Sequence, residues 1–166
     1  MVSKRTIRFV LLLAGVAAVI VYLVVFSAEN QVRRVITKAC GLVARNANDQ
    51  PLALAARTNQ LKAYLDDELQ IHIPSYRFQG LYARQDIAAS LLAAFSHAEV
   101  ISVTVFDLTV EVLPDGEATA GFTAEISRKL RDQVMETDYL QLSCRLRKPS
   151  DDWVLYQVEV VEALEK

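Results

Sequence analysis

Three hydrophobic patterns follow one another along this 166-residue chain. The first is an unbroken apolar run that begins at Phe9 and ends at Phe26 and holds no charged side chain. The second, over residues 28–95, places apolar residues at steps of three and four, as in helices that bury one face. The third, from residue 99 onward, alternates apolar and polar residues, which predicts strands. A membrane segment, then helices, then a sheet are expected.

The longest alternating stretch, residues 99–127, predicts two antiparallel strands joined at Pro114-Asp115-Gly116. Proline presets the φ angle of a turn, glycine accepts a positive φ, and β-branched residues fill both flanks. Two strands alone cannot bury their apolar face. The other helices and strands are therefore expected to pack against this hairpin.

Helical spacing predicts three helices before the hairpin. The first covers residues 28–46, and the second begins at Pro51, which suits a first helical turn, and ends near Leu65. The third covers about residues 85–95.

Strands are predicted around and after these helices. A short strand at residues 69–73 is stopped by Pro74 and followed by a loop through Gly80. Alternation predicts two more strands after the hairpin, at residues 138–148 and 153–161. The expected order is three helices with one short strand between the second and the third, then four long strands.

The run from Phe9 to Phe26 has the properties of a transmembrane helix. Its 18 residues cover roughly 27 Å at the helical rise, close to the ~30 Å hydrocarbon core. A cleaved signal peptide is the competing reading, but its apolar region is usually about 7–15 residues. A buried helix of a water-soluble protein is a third interpretation, but the polar residues on both sides of the run favour a membrane span. We predict an anchor with a short basic tail at residues 1–27 and a folded domain at residues 28–166.

The distribution of charge along the chain indicates on which side of a membrane the domain lies and which partners are not expected. Residues 1–26 carry a formal +3 from Lys4, Arg5 and Arg8, while the whole chain carries −2, which leaves −5 on the remainder. The basic start favours an inside N-terminus, with the domain on the periplasmic or extracellular side of a bacterial inner (cytoplasmic) membrane. An acidic domain without a basic run lacks the footprint that nucleic acid requires, so no nucleic-acid partner is expected.

Asp107 and His72 are the candidate catalytic groups. The alternation changes phase between Val105 and Phe106. Either a β-bulge turns Asp107 to solvent, which we favour, or Asp107 points into an apolar space, where its pKa would rise. His72 precedes Ile73 and faces the opposite side of its strand, so we favour a half-exposed strand histidine over a catalytic base.

No metal site or cofactor is predicted. His72 and His97 are the two histidines, and no Cys or carboxylate cluster has metal-ligand spacing near them. His97 is expected to meet the last carbonyls of the third helix. Nucleotide-binding glycine motifs and the common hydrolase motifs are absent from the sequence. Cys40 and Cys144 are the two cysteines, and both a disulfide and simple burial stay open.

Two passages resemble the NTF2-like (SnoaL-like) superfamily. Leu65 to Pro74, then Phe78-Gln79-Gly80, then Asp86-Ile87 is similar to the family's strand–proline, loop–glycine, helix passage. The closing Asp152-Trp153-Val154 is similar to its last strand, where a tryptophan commonly follows a polar turn. The resemblance covers residues 28–162. It implies an α+β fold in which three helices pack into a strongly bent, mostly antiparallel sheet, the cystatin-like cone.

The resemblance also implies a cone whose mouth holds a small apolar ligand and a sheet face that makes a homodimer or binds a protein partner. Tyr64, Tyr76 and Tyr82 flank that mouth and, with Asp107, are the ligand-pocket candidates. The steroid-isomerase branch carries its base just before the strand-ending proline, where this chain has Ile73, so that chemistry is not expected here.

We therefore expect a membrane-anchored, non-catalytic binding or assembly module for a protein partner or a small apolar ligand. The alternative is a SnoaL-like isomerase or hydrolase acting on a small lipid-like substrate in the cone, since this fold hosts many chemistries. An inward Asp107 in a deep cone would favour the enzyme, whereas a filled cone with an apolar patch on the sheet would favour assembly. The arrangement also resembles assembly-factor subunits of type IV secretion channels, which place such a domain after one span.

Overall fold

The computed structural model of the chain describes residues 27–74, 77–131 and 133–164. Its helices are α1 (Ala28–Val43), α2 (Pro51–Leu61) and α3 (Arg84–His97), and a 3-10 turn, Lys62–Tyr64, follows α2. Its strands are β1 (Leu65–Ile73), β2 (Phe78–Ala83), β3 (Ala98–Val112), β4 (Glu117–Leu130), β5 (Glu136–Arg147) and β6 (Val154–Leu164).

The six strands form one mixed sheet in the order β2-β1-β6-β5-β4-β3. β1 and β6 are parallel, and the other neighbours are antiparallel. The parallel pair arises because β1 comes before the long hairpins and β6 after them. The predicted α+β class, three helices on one mostly antiparallel sheet, is confirmed.

The predicted membrane span is not covered by this description, because Phe9 to Phe26 lies outside the described residues. Within the part of the chain that is described, no helix is both long and apolar enough to cross a bilayer.

The prediction of a loop through Gly80 was wrong, because residues 78–83 form β2 and pair with β1 from Ile73↔Phe78 to Glu68↔Ala83. A Cβ atom at Gly80 would lie 2.7 Å from Cε2 of Tyr82. Glycine leaves room here for the aromatic ring of Tyr82, and it does not end the strand.

Three element bounds also differ from the predictions. α1 ends at Val43, and α2 ends at Leu61 because the next three residues tighten into the 3-10 turn. That turn leads directly into β1, which therefore begins at Leu65 and is longer than predicted. The hairpin prediction was confirmed: Leu113 N–H donates to Glu117 O at 2.8 Å, and Gly116 has φ of 85°.

The core lies between α1 and the inner face of the sheet. Val32 and Ile36 of α1 are 0% and 2% exposed. β4 buries every second side chain, and three of the four buried residues are alanines: Ala118, Ala120 and Ala124, beside Phe122. Small side chains on this strand let the helix lie close to the sheet, so packing is tight at the centre of the domain.

The free edge of β3 is occupied at two places. The backbone of Arg45 bonds in both directions with Ile101, at 2.8 and 2.9 Å. Farther along, Arg33 Nη1 donates to the carbonyl oxygen of Leu108 at 2.6 Å. These contacts use backbone groups that an edge strand otherwise offers to other chains.

Candidate functional site

The helix-covered face of the sheet is packed with apolar side chains from nearly every element. The buried cluster on this face includes Val32, Ile36, Leu61, Leu65, Leu69, Phe122, Cys144, Leu146, Trp153 and Leu155. Asp66 is the one carboxylate among the buried described residues. The space where the resemblance places a ligand is thus lined by hydrocarbon and thiol groups.

Asp107 lies on the β-bulge that the phase change predicts. Phe106 pairs with Thr123 and Thr109 pairs with Gly121, so that Asp107 and Leu108 together face one residue of β4. Asp107 has a φ of 53° and is exposed, while Leu108 packs against the core. The extra residue restores the inward direction of the following apolar side chains and leaves the carboxylate in solvent.

His72 lies on the outer face of β1 and contacts Glu159 of β6, with Nδ1 and Oε1 3.1 Å apart. Both side chains are 36% exposed. Its neighbour Ile71 packs against the core, as strand alternation requires. His97 is the last residue of α3 and is exposed.

The structure separates the ligand-pocket candidates. Tyr64 lines a shallow cleft of about 280 Å³ with Lys38 and Gly41 of α1. Tyr82 is half-buried on β2, and β2 and β3 are the two edge strands, so Tyr82 and Asp107 belong to opposite edges of the sheet. Tyr76 lies outside the described residues.

The two cysteines are free thiols. Burial raises the pKa of Cys40 to about 11 and that of Cys144 to about 12, and the negative charge of a Cys40 thiolate would add to the latter shift. A thiol needs a lowered pKa to act as a nucleophile near neutral pH. Both side chains are therefore inert packing groups in the folded domain.

An ion pair that the sequence patterns did not indicate joins Asp66 and Arg147. Arg147 Nε donates to Asp66 Oδ2, and the Asp66 side chain is only 8% exposed. The guanidinium lies 5.6 Å from the ring centroid of Tyr156, whose hydroxyl donates to Glu117 at 2.8 Å. The hydrogen bond from Arg147 is the main cause that holds the pKa of Asp66 below its ordinary value. Asp66 therefore stays ionised in this network, and a carboxylate held in that way suits a structural role better than proton transfer.

Among the described residues, no group of three or more His, Cys, Asp and Glu side chains is placed to hold a metal ion. A second cleft, of about 300 Å³, lies at the opposite end of α2 from Tyr64 and is lined by Arg45 and Arg131. No residue of this second cleft was a sequence candidate, because its walls come from three separate parts of the chain.

No known family model matches the sequence, and no curated protein matches it either. Solved structures do match. An NTF2-like protein with a cystatin-like fold from Novosphingobium aromaticivorans has a TM-score of 0.59 at 13% identity, over 98% of this chain and 92% of that one.

Two further matches are an enzyme and a protein of unknown function. Hexachlorocyclohexane dehydrochlorinase from Novosphingobium barchaimii has a TM-score of 0.62 at 8% identity, over 83% of this chain and 89% of that one. An NTF2-like protein of unknown function from Exiguobacterium sp. 255-15 has a TM-score of 0.57 at 11% identity, over 80% and 99%. Identities this low show the fold and no more. The chain has an α+β fold similar to that of these NTF2-like proteins.

Proposed function

We propose that this chain is a non-catalytic binding or assembly module, which the run from Phe9 to Phe26 holds at a bacterial inner membrane. The observation that carries the proposal is the placement of Asp107 and His72, the two candidate proton-transfer groups, on solvent-facing positions outside the packed inner face.

General acid–base catalysis requires a group within hydrogen-bond reach of the reacting atom. Asp107 is turned outward by the bulge, and His72 contacts Glu159 on the outer face. The thiols on the inner side are kept protonated by burial. A small apolar ligand inside the cone would therefore meet packing surfaces, and Asp66, the one buried carboxylate of the described residues, is engaged by Arg147.

The outer sheet face supports contact with a second copy of the chain or with a protein partner. Phe106 lies beside Thr123, which lies beside Gln141, and together they form one outward row across β3, β4 and β5. Phe106 is 44% exposed on this otherwise polar surface. An exposed aromatic ring framed by hydroxyl and amide groups has the character of an interface anchor.

Sedimentation equilibrium of the full chain in a density-matched detergent tests the assembly role. We expect a dimer that Phe106→Asp weakens at least about tenfold, because a charge then replaces the buried ring. Leu52→Asp is the matched control, since Leu52 is 82% exposed on α2, away from the sheet face. Equal effects of the two variants, or a monomeric wild-type chain at micromolar concentration, would count against a self-assembly role.

The isomerase or hydrolase alternative has its own test. The double variant Asp107→Asn, His72→Gln removes both candidate groups while keeping similar shapes. If the wild-type chain turned over a lipid-like ester or enone and the double variant did not, the non-catalytic proposal would be wrong.

A further inference from the structure

We infer that the cleft between α2, α3 and the β4–β5 connection binds an amphipathic monoanion, with an oxyanion head between Arg45 and Arg131 and an apolar chain against the helices. The cleft lies outside the core between α1 and the sheet. The inference is independent of the proposed function and would hold even if the cone proved catalytic.

The size of the cleft fits a small ligand. Its volume is about 300 Å³, at the lower end of the range for small-molecule sites. The start of α2 and the last turns of α3 form its walls, Arg45 enters from the α1–α2 connection, and Arg131 follows the end of β4.

The cleft has an excess of positive charge. Arg45 and Arg131 line it together with one carboxylate, Asp49. Asp49 is already neutralised by Arg57, whose Nη1 and Nη2 lie 2.7 and 3.2 Å from its two oxygens. The backbone N–H of Asn46, at 2.8 Å, and Arg57 hold the pKa of Asp49 below its ordinary value. The charge of Arg45 also lowers the pKa of Asp49, and the three arginines Arg45, Arg57 and Arg131 face the single carboxylate of Asp49, which leaves these four side chains a formal charge of +2.

Arg45 is held in place for such a ligand. Its backbone bonds with Ile101 in both directions, and its Nη1 donates to the carbonyl of Ala98. Its Nε is buried and has no hydrogen-bond partner among the described residues. A buried donor without a partner is costly, and no carboxylate of the described residues offsets the guanidinium charge at this atom.

The amino terminus of α2 adds to this preference for an anion. Pro51, its first residue, lines the cleft. Gln50 makes no capping hydrogen bond through its side chain, and the first turn holds no acidic residue. The partial positive charge of the helix end is therefore not offset by an acidic residue within the first turn, and it lies in the same cleft as the two arginines.

The apolar side chains that α2 and α3 contribute to the cleft indicate that part of the ligand is apolar. Leu54 and Phe95 are 5% and 1% exposed and form the floor, while Leu92 at the rim is 43% exposed. Val134 and Met135, just beyond Arg131, are 81% and 51% exposed. An apolar floor and rim in a cleft that two arginines also line suit a ligand that is charged at one end only.

The probe we would use is 4-phenylbutyrate, with 4-phenylbutanamide as its uncharged analogue and the full chain in nanodiscs of zwitterionic lipid. Calorimetry should show millimolar or tighter binding of the acid and at least about tenfold weaker binding of the amide, because the head group meets two cations. Binding of the acid should weaken with salt. Repeating the titration in nanodiscs with anionic lipid identifies the source: competition by the bilayer indicates a lipid ligand, and its absence indicates a soluble one.

Variants separate the site from general electrostatics. Arg131→Gln and Arg45→Lys should each weaken binding at least about fivefold, the second because lysine lacks the planar fork. Arg34→Gln on exposed α1 removes the same charge away from the cleft and should leave binding unchanged. Equal affinity for acid and amide, equal effects of Arg34→Gln and Arg131→Gln, or heat no larger than with empty nanodiscs would each overturn the inference.

Discussion

Arg147 at the end of β5 reaches over β6 and forms an ion pair with Asp66 at the start of β1. The two residues are 81 positions apart in the chain. The guanidinium crosses above the ring of Tyr156, so one side chain fastens three neighbouring strands.

Arg147→Met should destabilise the domain by about 2 kcal/mol, because it leaves the nearly buried carboxylate of Asp66 without its partner. The loss is limited because the Arg147 side chain itself is half-exposed. Arg128→Met is a matched control. Both arginine side chains are 52% exposed, but Arg128 pairs with Glu136, which is 54% exposed, whereas Asp66 is 8% exposed. The control should cost no more than about 0.5 kcal/mol. Urea unfolding measures both, and equal losses would show that partner burial is not what matters.

Asp66 should also govern the acid sensitivity of the fold. Its pKa is lowered in the folded state, chiefly by Arg147. Its contribution is therefore fully present above the unfolded pKa of about 3.9 and is lost as pH falls through the folded value. The free energy of unfolding should therefore fall as the pH is lowered from about 6 to about 2, and this decrease is the acid limb of the stability curve. Asp66→Asn should flatten the limb, and an unchanged slope would mean that another carboxylate controls it.

The thiols of half-buried Cys40 and buried Cys144 should resist modification. With pKa values of about 11 for Cys40 and about 12 for Cys144, little thiolate exists in the folded domain near pH 8. Ellman's reagent should react slowly with the native chain and label both cysteines rapidly in denaturant. Rapid labelling of two thiols in the native chain would contradict the burial that raises these pKa values.

The bulge at Asp107 should tolerate residues that accept a positive φ. Asp107→Gly and Asp107→Asn should be close to neutral, whereas Asp107→Val should cost about 1–2 kcal/mol because a β-branched residue is strained there. Glu111→Val, at a regular exposed position of the same strand, is the control and should be near neutral. Thermal unfolding compares the four variants. If valine were tolerated equally at both positions, the bulge would not be under this constraint.

Local patterns predicted the parts of the fold that depend on local chemistry. The phase change at Val105 and Phe106 predicted the bulge, because alternation is a property of consecutive residues. Pro114 and Gly116 predicted the hairpin for the same reason. β2 was missed because Gly80 is a breaker by itself and becomes a strand residue only through pairing with β1 and the ring of Tyr82.

The sites depend on distant parts of the chain, and so the sequence did not reveal them. In the sequence, Asp66 is one of three consecutive acidic residues at the start of a strand. Its partner Arg147 comes close only because β5 pairs with β6 in the folded sheet. Arg45 looks like the end of an amphipathic helix until its backbone meets Ile101. The one available signal for the second cleft was a basic residue, Arg45, in a short connection that leads into a helix without a side-chain cap.

The contacts of Arg45 and Arg33 with β3 leave β2 as the sheet edge with the fewest obstacles to backbone pairing. A filament grown strand by strand needs two open edges on every subunit, one for each neighbour. The same two arginines thus make β3 the poorer edge for such growth, because they occupy its backbone at Ile101 and Leu108.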